Sequence, residues 1–289
     1  MADYLAISTA VTDRIYASDG SFKGEYLGGA GIYAFSGMRL WSASVNLVTG
    51  VGADFKKTHK DWIAGAFREE PFLMVKDAHT AVSLVRYHSD GEREETPFYG
   101  LDHYQRLEAT PKEIAEAVAV SNPKGIYIFK GTGLGYWNSV FALKKLYGFA
   151  VCWEINASYA VPEREREVRE TAQQCDMFSI NRTEGMDLFQ VRQEKDVIHN
   201  LQAWRIPLVY YRVGRKGGYL ITPDAVIFSP SCTDVQVVDP TGAGNASTAG
   251  LFLNWCEKLP LGECGERASD SAADCIKQFG PPMFSGDEL

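Results

Sequence analysis

Val237-Val238-Asp239-Pro240-Thr241-Gly242-Ala243-Gly244-Asn245-Ala246-Ser247-Thr248-Ala249-Gly250 is the stretch that decides the fold. Two β-branched residues close an apolar run, and Asp-Pro and two glycines make a turn. Small residues then lead into Leu251-Phe252-Leu253, which reads as a helix. The first N–H groups of a helix have no intrahelical acceptor, and the aligned peptide dipoles add partial positive charge there. A turn of this kind therefore suits an anion, a phosphate above all. Gly242, Ala243 and Gly244 have side chains small enough for a ligand to reach the backbone.

The 289 residues, 45% hydrophobic and 23% charged, suit one large α/β unit with a substantial core. A net charge of −8 argues against a nucleic-acid surface, which needs a basic face. A bound nucleotide would be held by local N–H groups, a few cations and a divalent metal. The six cysteines form no C-x-x-C pair and no histidine clusters with them, so no zinc site is expected. Scattered thiols, no apolar run of membrane-spanning length and no secretory leader point to a cytoplasmic protein with no membrane contact.

Outward from the anchor, apolar runs and helical stretches alternate. Tyr4 to Val11 reads as a buried first strand ending at Asp13. A strand from Ala43 to Val48 leads into Gly50-Val51-Gly52-Ala53-Asp54-Phe55, and a helix follows from Lys56 to Phe67. Leu73-Met74-Val75 and Ala81 to Tyr87, with a polar turn at Ser89 to Glu92, read as a β-hairpin; Glu92 to Glu95 is solvated surface. Thr110-Pro111-Lys112-Glu113 is a capping box with proline at the first helical position. Strands at Lys124–Phe129, Phe149–Ile155 and Asp176–Ile180 then alternate with helices at Tyr136–Tyr147 and Pro162–Gln174, and a last helix spans Glu266–Phe279. That rhythm predicts right-handed βαβ units and a doubly wound, mostly parallel sheet. Gly131-Thr132-Gly133-Leu134-Gly135 is not a dinucleotide fingerprint, because Tyr136 stands where the third glycine belongs; no Walker A sequence occurs.

The anchor resembles the C-terminal signature of the PfkB, or ribokinase-like, sugar and nucleoside kinases, D-x-x-G-A-G-D, and the resemblance to that family covers essentially the whole chain. The resemblance implies one ribokinase-like α/β domain over residues 1–289, with a small β lid from segments about 12–27 and 72–100. It implies ATP and magnesium as cofactors and a sugar or nucleoside as the small hydroxylated substrate. In the family the lid can also be a homodimer interface. Gly242, Ala243 and Gly244 would form the anion hole for the transferred phosphoryl group. Asn245 stands where the family has its catalytic base, an Asp. Asp13 and the glycines Gly28 and Gly29 match the substrate-binding positions, although Gly31 and Tyr33 occupy the neighbourhood where the family often has Asn. Without the family, Asp13 reads equally well as a turn aspartate. Asn181-Arg182-Thr183-Glu184 matches N-x-x-E, beside metal and phosphates, with Glu184 holding magnesium through water; the same tetrapeptide can cap a helix. Gly214 and Gly217 match a late nucleotide-side loop, where Arg212 replaces the usual Thr. An arginine there would add charge-assisted bonds to phosphate, or lie at the surface.

An Asn cannot take a proton from an alcohol near neutral pH. The expectation is a slow phosphotransferase, or one served by another carboxylate, of which Asp239 is nearest in sequence. The alternative is an inactive relative that binds nucleotide or sugar phosphate as a sensor or partner module.

Overall fold

The computed structural model describes residues 2–88 and 93–284. Its strands are, in chain order, β1 (Tyr4–Ile7), β2 (Val11–Tyr16), β3 (Phe22–Gly28), β4 (Val45–Gly52), β5 (Phe72–Asp77), β6 (Ala81–Tyr87), β7 (Arg93–Pro97), β8 (Gly125–Lys130), β9 (Ala150–Ile155), β10 (Met177–Asn181), β11 (Leu208–Arg212), β12 (Gly217–Ile221) and β13 (Val226–Pro230). Nine form one sheet in the order β13-β12-β11-β10-β9-β8-β1-β4-β5. All its pairings from β11 to β5 are parallel; β12 and β13 add antiparallel strands at the other edge. The other four form a small sheet, β3-β2-β6-β7.

Both faces of the large sheet are covered, which is why its central strands read as unbroken apolar runs. Successive residues alternate between two cores. Ile126, Ile128 and Trp153 pack on one side with Trp137, Phe178 and Trp204. Tyr127, Cys152 and Tyr210 face the other, with Phe35, Leu251 and Phe252. The second core lies beneath the helices Ala30–Arg39, Ala243–Cys256 and Leu261–Cys275. Among the described residues no helix is long and apolar enough to cross a membrane.

The doubly wound sheet and the Thr110 capping box are as expected. Several boundaries differ. The first strand stops at Ile7, because Thr9 turns its carbonyl to the Gly31 N–H at 2.9 Å; Asp13 therefore belongs to β2, in the small sheet. Leu73 to Val75 lie outside the small sheet: β5 pairs in parallel with β4, and the second segment of the small sheet begins at Ala81. The hairpin is β6–β7, in the small sheet; its expected turn, Ser89 to Glu92, lies outside the described residues, whereas Glu94 and Glu95 are exposed as expected. The helix expected over residues 56–67 is two short pieces, Phe55–Thr58 and Lys60–Ala66, broken at His59. The last helix runs Leu261–Cys275, beginning five residues before the expected Glu266 and ending short of Phe279, directly after Pro260. Proline fixes the helix entry there.

The break at His59 has a use. Its Nε2 lies 2.9 Å from Thr12 Oγ1 on β2, next to Asp13, which ties the small sheet to the main body. Burial holds the imidazole down at about 4, against an ordinary 6.5. Because the folded value lies below the unfolded one, neutral His59 contributes stability above pH 6.5 that is lost as pH falls towards 4. His59→Gln should flatten the stability profile between those two values, read by urea denaturation at several pH values; equal slopes would show that His59 is accessible to protons.

Candidate active site

The site lies at the carboxyl edge of the parallel strands, where open α/β sheets bind ligands. The helix Ala243–Cys256 starts there, with Gly242 as its N-cap at φ 79°, a left-handed conformation that favours glycine. A Cβ on Gly242 would stand 2.0 Å from the Tyr33 ring, so the turn packs flat on that aromatic. Gly242 to Asn245 are all half-buried, and the Gly244 and Asn245 N–H groups find no backbone acceptor among the described residues.

Three strands aim side chains at this helix end. The alternation that sends Tyr127, Cys152 and Tyr210 to one face sends Glu154 and Arg212 there too. Arg212 Nη1 lies 2.9 Å from Glu154 Oε1, and its Nη2 lies 3.8 Å from Glu184 Oε2. Tyr127 donates to Glu154 Oε2 at 2.7 Å. The Asn245 amide donates to both Glu154 Oε1 and the Tyr127 hydroxyl, each at 3.1 Å. A Cβ on Gly244 would meet Arg212 Nη1 at 2.1 Å, so the guanidinium sits directly over Gly244. Arg212 Nε is buried without a hydrogen-bond partner. Two carboxylates and one guanidinium leave a formal charge of −1, with the side chain of Glu154 only 2% exposed.

The sequence assignments fare unevenly. Gly242, Ala243, Gly244, Asn245, Arg212 and Glu184 come together. Arg212 is a largely buried member of the network, its side chain 13% exposed, and not a surface arginine. Asn181 and Glu184 form a reciprocal capping box: Asn181 Oδ1 accepts from the Glu184 N–H at 3.0 Å, and Glu184 Oε2 accepts from the Asn181 N–H at 2.8 Å. The helix-capping reading of that tetrapeptide therefore holds, alongside the contact with Arg212. Burial pushes the Glu184 carboxyl up, against the opposing pull of Arg212. Gly214 (φ 64°) and Gly217 (φ 118°) shape the turn from β11 to β12 at the same edge.

Asp13 is buried opposite Gly28, where a Cβ would stand 1.9 Å from Asp13 Oδ2. Gly29 (φ 101°) caps the helix Ala30–Arg39, and Tyr33, about one turn along, supports Gly242. That helix brings the Gly28-Gly29 loop towards the Gly242 turn. Asp239 is not the nearby carboxylate: its Oδ1 accepts from the Thr241 N–H and hydroxyl and from the Tyr87 hydroxyl. The carboxylate touching Asn245 is Glu154, which the sequence reading missed together with Tyr127. A glutamate inside the apolar run Ala150–Ile155 was the available signal for Glu154.

The residues fit a nucleotide's phosphates: two backbone N–H groups, a guanidinium with an orphaned Nε, and a glycine cradle. No cluster of three His, Cys, Asp or Glu side chains able to hold a metal occurs among the described residues, so a magnesium ion here would take most of its ligands from phosphate oxygens and water.

The profile of the pfkB family carbohydrate kinases matches residues 5–282, and the chain belongs to that family. A cytidine kinase of Thermococcus kodakarensis is 23% identical over 287 residues, covering 97% of this chain and 98% of the relative. The same fold occurs in the crystal structure of a probable sugar kinase from Rhizobium etli, at 18% identity and TM-score 0.78, covering 98% of this chain and 96% of that one. A putative ribokinase II from E. coli superposes with TM-score 0.79 at 16% identity, covering 97% and 94%.

Arg212→Met would leave Glu154 and Glu184 buried without a cation, which typically costs about 3–5 kcal/mol. Burial already pushes the Glu184 carboxyl up, and losing the opposing pull of Arg212 would push it further, so part of the missing stability returns as pH falls and it protonates. Urea denaturation should show a large deficit at pH 7 and a smaller one at pH 5; equal deficits would mean that lost packing dominates.

Proposed function

We propose that the chain is an ATP-dependent phosphotransferase that places the γ-phosphoryl group on a hydroxyl of a sugar or nucleoside, with low turnover because Asn245 stands at the base position. The observation that carries this reading is Arg212, seated over Gly244 with a buried and unpartnered Nε. In this reading the Gly244 and Asn245 N–H groups and this guanidinium face the phosphoryl group as charge develops during transfer. Positioned donors of this kind supply much of the catalysis in phosphoryl transfer. Magnesium, when bound, neutralises charge on the phosphates, and Glu184 would hold it through water. Asp13, fixed against Gly28, accepts hydroxyls of the acceptor and orients it. The similarity to a cytidine kinase supports a nucleoside acceptor.

No side chain at position 245 takes the hydroxyl proton. General-base catalysis is worth about 10²–10⁴-fold, so this predicts a slow enzyme and not an inert one. The second reading, a nucleotide or sugar-phosphate binder without turnover, is favoured by the Asn245–Glu154 bond. It turns the amide N–H₂ inward, onto a carboxylate already held by Arg212 and Tyr127.

That bond shapes the test. Asn245→Asp alone would set two carboxylates about 3 Å apart and raise the pKa of one. Asn245→Asp combined with Glu154→Gln moves the charge from 154 to 245 and keeps Arg212 paired. In an ADP-release assay across nucleosides and sugars, the expected result is slow turnover in the native protein, little gain in Asn245→Asp, and a gain of about 10²-fold in the double variant. Turnover in the double variant alone would favour the binder reading. Failure of ATP to bind by calorimetry would overturn both.

A further inference from the structure

We propose that Tyr87, on the lid strand β6, is a positioning residue for the phosphate turn, acting through Asp239. The inference rests on the phosphotransfer reading for its function but on the turn's own contacts for its geometry. Asp239 is 2% exposed and opens the turn that ends at Gly242. A buried carboxylate must be met by donors. Two come from inside the turn, the Thr241 N–H at 2.8 Å and the Thr241 hydroxyl at 2.5 Å. A third comes from 152 residues away, the Tyr87 hydroxyl at 2.6 Å, on the same oxygen. The Asp239 backbone is fixed separately: the N–H groups of Val238 and Asp239 both donate to the Ile276 carbonyl beyond the last helix, at 2.8 and 3.3 Å.

Asp239 is thus a junction of three parts: the lid, the turn and the end of the last helix. Through Thr241 it sets where the chain enters Gly242, and so the direction in which the Gly244 and Asn245 N–H groups point. The Tyr33 ring supports the turn from the other side. The small sheet that carries Asp13 over the acceptor therefore also holds the turn that would grip the phosphoryl group. The groups that receive and deliver the phosphate share one support.

Tyr87→Phe removes only the hydroxyl. Calorimetry with the non-hydrolysable triphosphate AMP-PNP and with AMP separates a local effect on the turn from general loosening. AMP-PNP affinity should fall about tenfold, the worth of one hydrogen bond to a charged group, and AMP affinity should stay unchanged. Amide exchange at Thr241 to Asn245 in the ligand-free protein should quicken. Adding Tyr87→Phe to Asp239→Asn should change AMP-PNP affinity much less than it does in the native background, because the shared bond is already weakened. Equal losses for AMP-PNP and AMP, or unchanged exchange at the turn, would overturn the proposal. If the native protein binds neither nucleotide, the phosphotransfer reading fails, and the exchange measurement alone then decides whether Tyr87 positions the turn.

Discussion

The buried pair of Arg212 with Glu154 is the constraint on which the site depends. A lone arginine or glutamate at this depth would be strongly destabilising, so each requires the other. Their meeting fixes how β9 and β11 approach across β10, and it places a cation over Gly244. Tyr127 and Asn245 complete the network from β8 and from the helix Ala243–Cys256. Four elements thus converge at one helix end, and the electrostatics there are set by the protein before any ligand arrives. Burial also keeps the Tyr127 phenol well above its ordinary range, so it acts as a neutral donor to Glu154.

Close helix packing makes that convergence possible. Gly37 lies so near the second helix that a Cβ there would stand 2.1 Å from the Ala246 carbonyl oxygen, and one on Gly250 would stand 2.3 Å from Ser271 Oγ. Small residues at these crossings let the helices Ala30–Arg39, Ala243–Cys256 and Leu261–Cys275 form one tight layer over the sheet. The Gly28-Gly29 loop and the Gly242 turn begin two of those helices, so their separation is a consequence of the packing and not of loop conformation.

Much of the fold was legible because its signals are local and periodic. The strand–helix alternation, the Thr110-Pro111 start and the Gly242-Ala243-Gly244 turn each follow from residues within a few positions of one another. The errors fell where a local pattern continues through a change of partner. Tyr4 to Asp13 is apolar enough for one strand, yet the chain leaves the large sheet after Ile7 and enters the small one at Val11. Leu73 to Val75 carry β propensity that fits either sheet, and pairing with β4 decided between them. The four residues Asn181 to Glu184 satisfy a local capping rule and a ligand motif at once, and nothing within the tetrapeptide reveals the Arg212 contact.

The sequence by itself determined the class of architecture, the phosphate-suited turn and the presence of an amide at position 245, because these depend on residue identity and short-range geometry. Only the tertiary structure decided what that amide faces. Glu154, Arg212 and Tyr127 lie far apart along the chain, and they meet because parallel strands project alternate side chains onto a common face at a common edge. The same holds for Tyr87 and Asp239: a contact spanning 152 residues comes from how two sheets are mounted on one another, which no local pattern in the chain encodes.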